Sequence, residues 1–385
     1  QEGRQGVVNR LAKGLEFLLS KNNVQVIKGK AKLTSPGEVT AWTSEGEIKF
    51  QADTIILATG SRPADFPFLR FNGREVISST EALSLPEIPK RLLVVGAGAI
   101  GLELGSVYGR LGTEVTILEI MPSILPGTDL ASAQRLERIL KRQGLKIYLQ
   151  MKIESAEISA GQVTLKGLSL LDNKPFEFTA DKVLIAAGRK PNIEDLVWDE
   201  NLLRRQKGNY LEVDNHGETS IPGVYAIGDL TGGKLLAHKA YYDGRVAAER
   251  AAGLNSQLDY RALPSAIFTE PELASVGLSQ TEAEAQGLAI KTGEFPMQAN
   301  GRALTLDSPD GLVRIIASQA DDEILGAHLL APHASEMLPI LTMAVSRRLK
   351  IKDLDSIIYV HPTLSEAIPE AALKANKEAL HILNS

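Results

Sequence analysis

Apolar residues recur along this chain with two periods, and the changes between them predict its elements. Residues 4–20 place Val7, Val8, Leu11, Leu15, Leu18 and Leu19 at helical spacing with Arg10, Lys13 and Glu16 between them, which predicts an amphipathic helix that packs by its apolar face. Val24-Gln25-Val26-Ile27 reads as a short strand, and 39–43 and 48–50, joined at Glu45-Gly46, read as a small antiparallel meander. Two apolar strands, 53–58 and 182–187, each run into a glycine, Gly60 or Gly188. Between them lie strands at 91–95, 115–118 and 147–149, a helix over 129–143 opened by Thr128 or Asp129 and stopped by Gly144, and a second meander over 153–180 turning at 171–174. Short strands follow at 210–213 and 223–229, then a helix at 238–252. From Ala262 the pattern alternates: strands at 267–268, 273–277, 290–295, 312–316 and 324–328, with helices at 279–286, 334–349 and 369–380. Ser279 and Glu282 form a capping box for the first of these helices. Strands with helices on one face make an α+β domain.

The strand at 91–95 opens directly into Gly96-Ala97-Gly98-Ala99-Ile100-Gly101 and a helix, and twenty-three residues beyond Gly96 the next apolar strand ends at Glu119. That order is the βαβ fingerprint of a dinucleotide site. Gly96 permits the turn off the strand, Gly98 lets backbone approach a pyrophosphate, and Gly101 and Gly105 let the helix lie close to the sheet. The helix N-terminus offers free N–H groups and positive partial charge to phosphates. Glu119 suits a ribose 2′-OH and repels a 2′-phosphate, and no Arg follows it, so the expected nucleotide is NAD. The repeated strand-to-glycine plan at 53–61 and 182–192 hints at two interleaved nucleotide-binding folds. Four prolines at 63, 67, 86 and 89 mark a boundary between them.

Length and charge narrow the field. A chain of 385 residues suggests two to three domains. A net charge of -5 gives no reason to expect nucleic acid or an anionic membrane. No apolar run approaches the roughly 20 residues that span a bilayer. There is no cysteine and no secretory signal, and residue 1 is not Met. The lack of cysteine fits the expected cytoplasmic placement but leaves the compartment open, and thiol chemistry has no group on this chain.

Two further residues carry candidate chemistry. His361, in Val360-His361-Pro362-Thr363-Leu364-Ser365-Glu366, has a carboxylate five residues on. The residues alone leave it either a general base or a loop histidine bonded to its neighbours. The other histidines, 216, 238, 328, 333 and 381, read as structural. Asp229, closing the strand at 223–229, could bond a ribose or ribityl hydroxyl or cap the next helix; the N-terminus of that helix, at Leu235-Leu236-Ala237-His238, is a second candidate phosphate site.

Ala58-Thr59-Gly60-Ser61, the glycine turn through Leu102-Glu103, Ala187-Gly188-Arg189-Lys190-Pro191-Asn192, Ala226-Ile227-Gly228-Asp229 and His361 to Glu366 match, in order and spacing, the flavoprotein disulfide reductases. The chain most resembles their branch that oxidises dihydrolipoyl groups. The resemblance covers essentially all of it. It implies an α/β fold with two interleaved Rossmann-like nucleotide-binding domains and a C-terminal α+β dimerisation domain. The expected boundaries are 1–63 for a partial FAD-binding domain, 64–193 for the NAD-binding domain, 194–259 for the remainder of the FAD and central domain, and 260–385 for dimerisation. It assigns Ala31, Thr59, Gly60, Ser61, Asp229, Leu235, Leu236, Ala237 and His238 to FAD. It assigns Gly96, Ala97, Gly98, Ala99, Ile100, Gly101, Leu102, Glu103, Glu119, Ile153 and Gly188 to NAD. His361 becomes the acid–base residue, oriented by Glu366 and acting on the disulfide of the other subunit of a homodimer. The implied partner is a lipoyl domain of a 2-oxo acid dehydrogenase or glycine-cleavage complex. The family's own first G-x-G-x-x-G and its redox cysteine pair have no counterpart here, which reads as an incomplete chain, inactive by itself. Two alternatives stand beside this: another FAD-dependent disulfide reductase, or a non-catalytic, NAD-binding dimeric module.

Overall fold

The computed structural model of the chain describes residues 2–384. The backbone divides into two compact units whose segments alternate along the sequence. One comprises the residues up to Arg62 together with Arg189–Leu258; the other comprises Pro63–Gly188 together with the residues from Asp259 onward.

The first unit opens with the expected helix, Glu2–Lys21, but none of its residues is buried. The anticipated packing of its apolar face is therefore not realised among the described residues. Residues 24–27 form no strand either; apolar β-formers make a strand only where a neighbouring strand takes up their backbone groups. The meander forms as expected from Glu38–Thr43 and Gly46–Gln51, and Lys30–Ser35 joins it as a third strand that the sequence did not mark. Strand Ile55–Leu57 pairs in parallel with Val224–Ala226, and around them Leu33, Ile193, Val197, Leu211, Val224 and Leu230 make the core. Residues 210–213 carry only an isolated bridge, Arg205 to Leu211, in place of the expected strand.

The second unit holds a five-stranded parallel sheet in the order Val76–Ile77, Lys182–Ile185, Arg91–Val95, Glu114–Leu118, Lys146–Tyr148. Its strands read as unbroken apolar runs because both faces are covered. Leu92 and Val94 point to one face, packed with Leu102, Leu136 and Leu140 of helices Ala99–Arg110 and Leu130–Arg142. Leu93 and Val95 point to the other, packed with Val163 and Leu165 of the second meander, Met151–Ser159, Gln162–Ser169 and Pro175–Ala180.

The rest of this unit is an antiparallel five-stranded sheet, Ser265–Ile267, Glu272–Gly277, Ile324–Ala331, Leu312–Ser318 and Ile290–Pro296 in spatial order. Helices Ala334–Ser346 and Ala367–Lys374 share its core. A Cβ at Gly293 would lie 2.0 Å from the Ala371 carbonyl, so the latter helix rests on bare strand backbone. It ends at Lys374, well short of the expected 380, and Lys377 then takes a left-handed φ of 61° as the chain turns back. A parallel α/β sheet, an α+β sheet and alternating segments agree with the mixed fold the sequence implies.

Candidate functional site

The glycine turn folds as its spacing requires. Gly96 leaves the strand at φ +105°, and a Cβ there would meet the Ala186 carbonyl at 2.6 Å. A Cβ on Gly101 would lie 2.0 Å from the Gly96 carbonyl, so the helix starts against the strand end. A Cβ on Gly98, by contrast, would meet no atom within 4 Å. Gly98 caps helix Ala99–Arg110 without a side-chain bond, and first-turn N–H groups have no partner within their own helix. Gly188, at φ +124°, is open in the same way.

Glu119 is buried, 6% exposed, and does more than wait for a ribose. Its Oε2 accepts the Ala97 N–H at 2.7 Å and its Oε1 the Met121 N–H at 2.8 Å. The carboxylate thus ties the end of its own strand to the glycine turn, and each oxygen keeps a second lone-pair site. Glu103 accepts the Phe268 N–H at 2.9 Å. Burial pushes its carboxyl above the usual range, opposed by that bond. Leu102 is buried in the helix-side core, and Ile153 packs half-buried against the meander-side core. Ala99 and Ile100 occupy the first turn of the helix, half-buried.

In the first unit the structure brings Ser61 and Asp229 together. The Ser61 hydroxyl donates to Asp229 Oδ2. Arg189 Nε donates to Ser61 Oγ at 2.6 Å and Nη2 to the Ser61 carbonyl at 2.7 Å. Thr59 Oγ1 donates to the Asn192 carbonyl at 2.6 Å, and the Asn192 side chain returns a bond to the Thr59 carbonyl at 3.0 Å. Gly60 turns at φ +67° with nothing within 4 Å of a Cβ position. Leu235 and Leu236 lead into helix Ala237–Ala251, whose first residues, Ala237 and His238, are exposed. Ala31, paired with Ala41 in the meander, is exposed.

Sequence reasoning gave no role to Lys239 and Asp243, which hold the Gly228-Asp229 turn from behind. Lys239 Nζ lies 2.8 Å from Asp243 Oδ2 and also bonds Thr231 Oγ1 and the Gly228 carbonyl, while the Gly228 N–H donates to Asp243. Both side chains are buried, and their i,i+4 spacing was the available signal.

The His361 turn is the third feature. Its imidazole side chain is 80% exposed, and Nδ1 lies 2.9 Å from Glu366 Oε1. A carboxylate only accepts, so Nδ1 carries a proton, and in the neutral imidazole Nε2 is the acceptor. Glu366 Oε2 accepts the Thr363 N–H at 2.7 Å, and the Thr363 hydroxyl donates to the Val360 carbonyl at 2.7 Å. Burial would raise the Glu366 carboxyl, but the bonds from Thr363 and His361 outweigh it and hold the group below its usual range. His381, read as structural, also meets a carboxylate: Nδ1 lies 2.8 Å from Glu370 Oε1.

A parallel sheet whose strand opens through a bare glycine turn into a helix, with an acid after the adjacent strand, is the arrangement of an α/β dinucleotide-binding protein, and the family it matches makes it an oxidoreductase. Residues 1–244 match the pyridine nucleotide-disulphide oxidoreductase family and residues 263–372 its dimerisation domain. The chain belongs to the pyridine nucleotide-disulphide oxidoreductase family. It is 41% identical over 385 residues to a dihydrolipoyl dehydrogenase of Thermus scotoductus, covering 99% of this chain and 82% of that one. It is 39% identical to a Staphylococcus aureus dihydrolipoyl dehydrogenase, covering 100% and 81%. The crystal structure of LpdA from Mycobacterium tuberculosis superposes with a TM-score of 0.87 at 29% identity, covering 95% of this chain and 81% of that one. The HOCl-induced flavoprotein disulfide reductase RclA from Escherichia coli gives 0.81 at 26%, covering 95% and 84%. FAD and NAD are the cofactors of the dihydrolipoyl dehydrogenases in this family. No helix among the described residues is long and apolar enough to cross a membrane.

Proposed function

We propose that this chain serves a homodimeric dihydrolipoyl dehydrogenase, in which electrons from a dihydrolipoyl group on a lipoyl domain reach NAD⁺. The observation that carries the reading is the His361–Glu366 pair, with Nδ1 tied at 2.9 Å on an imidazole side chain that is 80% exposed. Held so, Nε2 can take the proton of a dihydrolipoyl thiol, and Glu366 stabilises the imidazolium that forms. The thiolate is the nucleophile in disulfide exchange. These 385 residues contain no cysteine, so the disulfide attacked lies outside them. Thr59, Gly60, Ser61, Asp229 and residues 235–238 would hold FAD, which when bound supplies two-electron transfer between thiols and nicotinamide. Residues 96–103, Glu119, Ile153 and Gly188 would hold NAD, its diphosphate at the bare backbone of Gly98. The lipoyl domain would come from a 2-oxo acid dehydrogenase or glycine-cleavage complex. A cytoplasmic location belongs to the same proposal and is tested by cell fractionation.

The test is His361→Gln in a form of the protein that carries the redox cysteine pair. Dihydrolipoamide turnover is expected to fall by about 10²-fold or more, with NADH-to-dye activity retained. Unchanged dihydrolipoamide turnover would remove His361 from the role of base.

A further inference from the structure

His361 and Glu366 sit in an exposed turn, and a pair so placed needs an anchor inside the protein. Asn300, 4% exposed, immediately precedes helix Gly301–Thr305. Its amide works in two directions. Oδ1 accepts the Ala303 N–H at 2.9 Å, capping the helix. Nδ2 donates to the Thr363 carbonyl at 3.0 Å, across 63 residues of sequence. Thr363 is the residue whose N–H fixes Glu366 Oε2 and whose hydroxyl closes the turn onto Val360. An unbroken line of hydrogen bonds therefore runs from a buried amide, through one residue's backbone, to the carboxylate and then the imidazole.

We propose that Asn300 is a positioning residue for the His361–Glu366 pair: its amide holds the Thr363 backbone, which in turn aims Glu366 at Nδ1. The inference deepens the reading of His361 as acid–base residue and rests on it. A helix cap alone needs only an acceptor at this position, since Asn, Asp and Ser cap comparably. The N–H that reaches Thr363 is surplus to capping, and that surplus is what the test isolates.

Asn300→Asp keeps the acceptor for Ala303 and replaces the donor with an oxygen that repels the Thr363 carbonyl. Asn300→Ser keeps an acceptor too but is too short to reach Thr363, and it serves if a buried carboxylate unfolds the chain. Circular dichroism and thermal unfolding establish that the variant tested is folded. Long-range ¹⁵N–¹H spectra of the histidine-labelled, cysteine-bearing protein then report the imidazole tautomer directly. Wild type is expected to show Nδ1–H at His361, and the variants a mixture with Nε2–H. In the cysteine-bearing protein, dihydrolipoamide turnover is expected to fall roughly 10- to 100-fold, as for a displaced reacting group, with NADH-to-dye activity unchanged. A folded variant whose His361 stays Nδ1-protonated, as in wild type, makes Asn300 a cap and nothing more. If His361→Gln leaves turnover unchanged while the tautomer still shifts in the Asn300 variants, the acid–base reading falls and the positioning stands.

Discussion

The open space over Gly98 allows ligand binding to be separated from folding with one methyl group. Gly98 has φ −78° and ψ −174°, which alanine adopts without strain. The added Cβ would meet no protein atom within 4 Å. Gly98→Ala is therefore expected to keep the fold, or to stabilise it by about 0.4–1 kcal/mol through a less flexible unfolded chain. In the NAD site proposed above, the same methyl stands where the diphosphate would approach the backbone. Losing one charge-assisted N–H···O bond, about 1.5–3 kcal/mol, weakens NADH binding roughly 10- to 150-fold. Gly101→Ala is the contrast. Its Cβ would lie 2.0 Å from the Gly96 carbonyl and 3.2 Å from Val94 Cγ1, so the helix must back off the strand. That overpacking costs about 1–3 kcal/mol and weakens binding as well. Thermal unfolding and NADH fluorescence titration on the same samples read both quantities. If Gly98→Ala binds NADH like wild type, the diphosphate does not lie at this turn; if it loses stability as Gly101→Ala does, the geometry is wrong.

The buried Lys239–Asp243 pair makes Lys239→Met destabilising by about 3–5 kcal/mol in urea unfolding, because it takes a cation from beside a buried carboxylate, whereas Lys239→Met with Asp243→Leu should recover much of the loss. Glu194, hydrogen-bonded and charge-paired to Arg62, has its carboxyl lowered from 4.5 to about 2. A depressed acid stabilises the fold above its unfolded value and loses that effect as pH falls through the folded one. With both partners largely exposed the pair is worth under about 1 kcal/mol, so Glu194→Gln should be slightly less stable than wild type at neutral pH and converge with it between pH 4.5 and about 2.

What was legible in the sequence was what lies close together along it. The strand at 91–95, its glycines, helix Ala99–Arg110 and the strand ending at Glu119 are contiguous, and each fixes the next by local geometry. The Ser279–Glu282 box and the Asp129 cap are local in the same way, and both formed. Helical periodicity at 4–20 is weaker information. It reports an apolar stripe, not what covers it, and the helix stands with no buried residue. The run at 24–27 failed for the same reason, since alternation of β-formers does not supply a partner strand.

The pairings that give the site its geometry are long in sequence and carry no local mark. Arg189 reaches Ser61 across 128 residues, and Asn300 reaches Thr363 across 63. His381 meets Glu370 only because the last helix stops at Lys374 and the chain doubles back, whereas a helix continued to 380 would have carried the imidazole away. Glu119 shows how the two kinds of information combine. Its position at a strand end was readable as a nucleotide ligand, but its bond to Ala97 was not. That bond makes the acid part of the turn it was expected only to face. Removing the carboxylate should therefore loosen the glycine turn even where no nucleotide is present, a consequence that an assignment as ribose ligand alone does not carry.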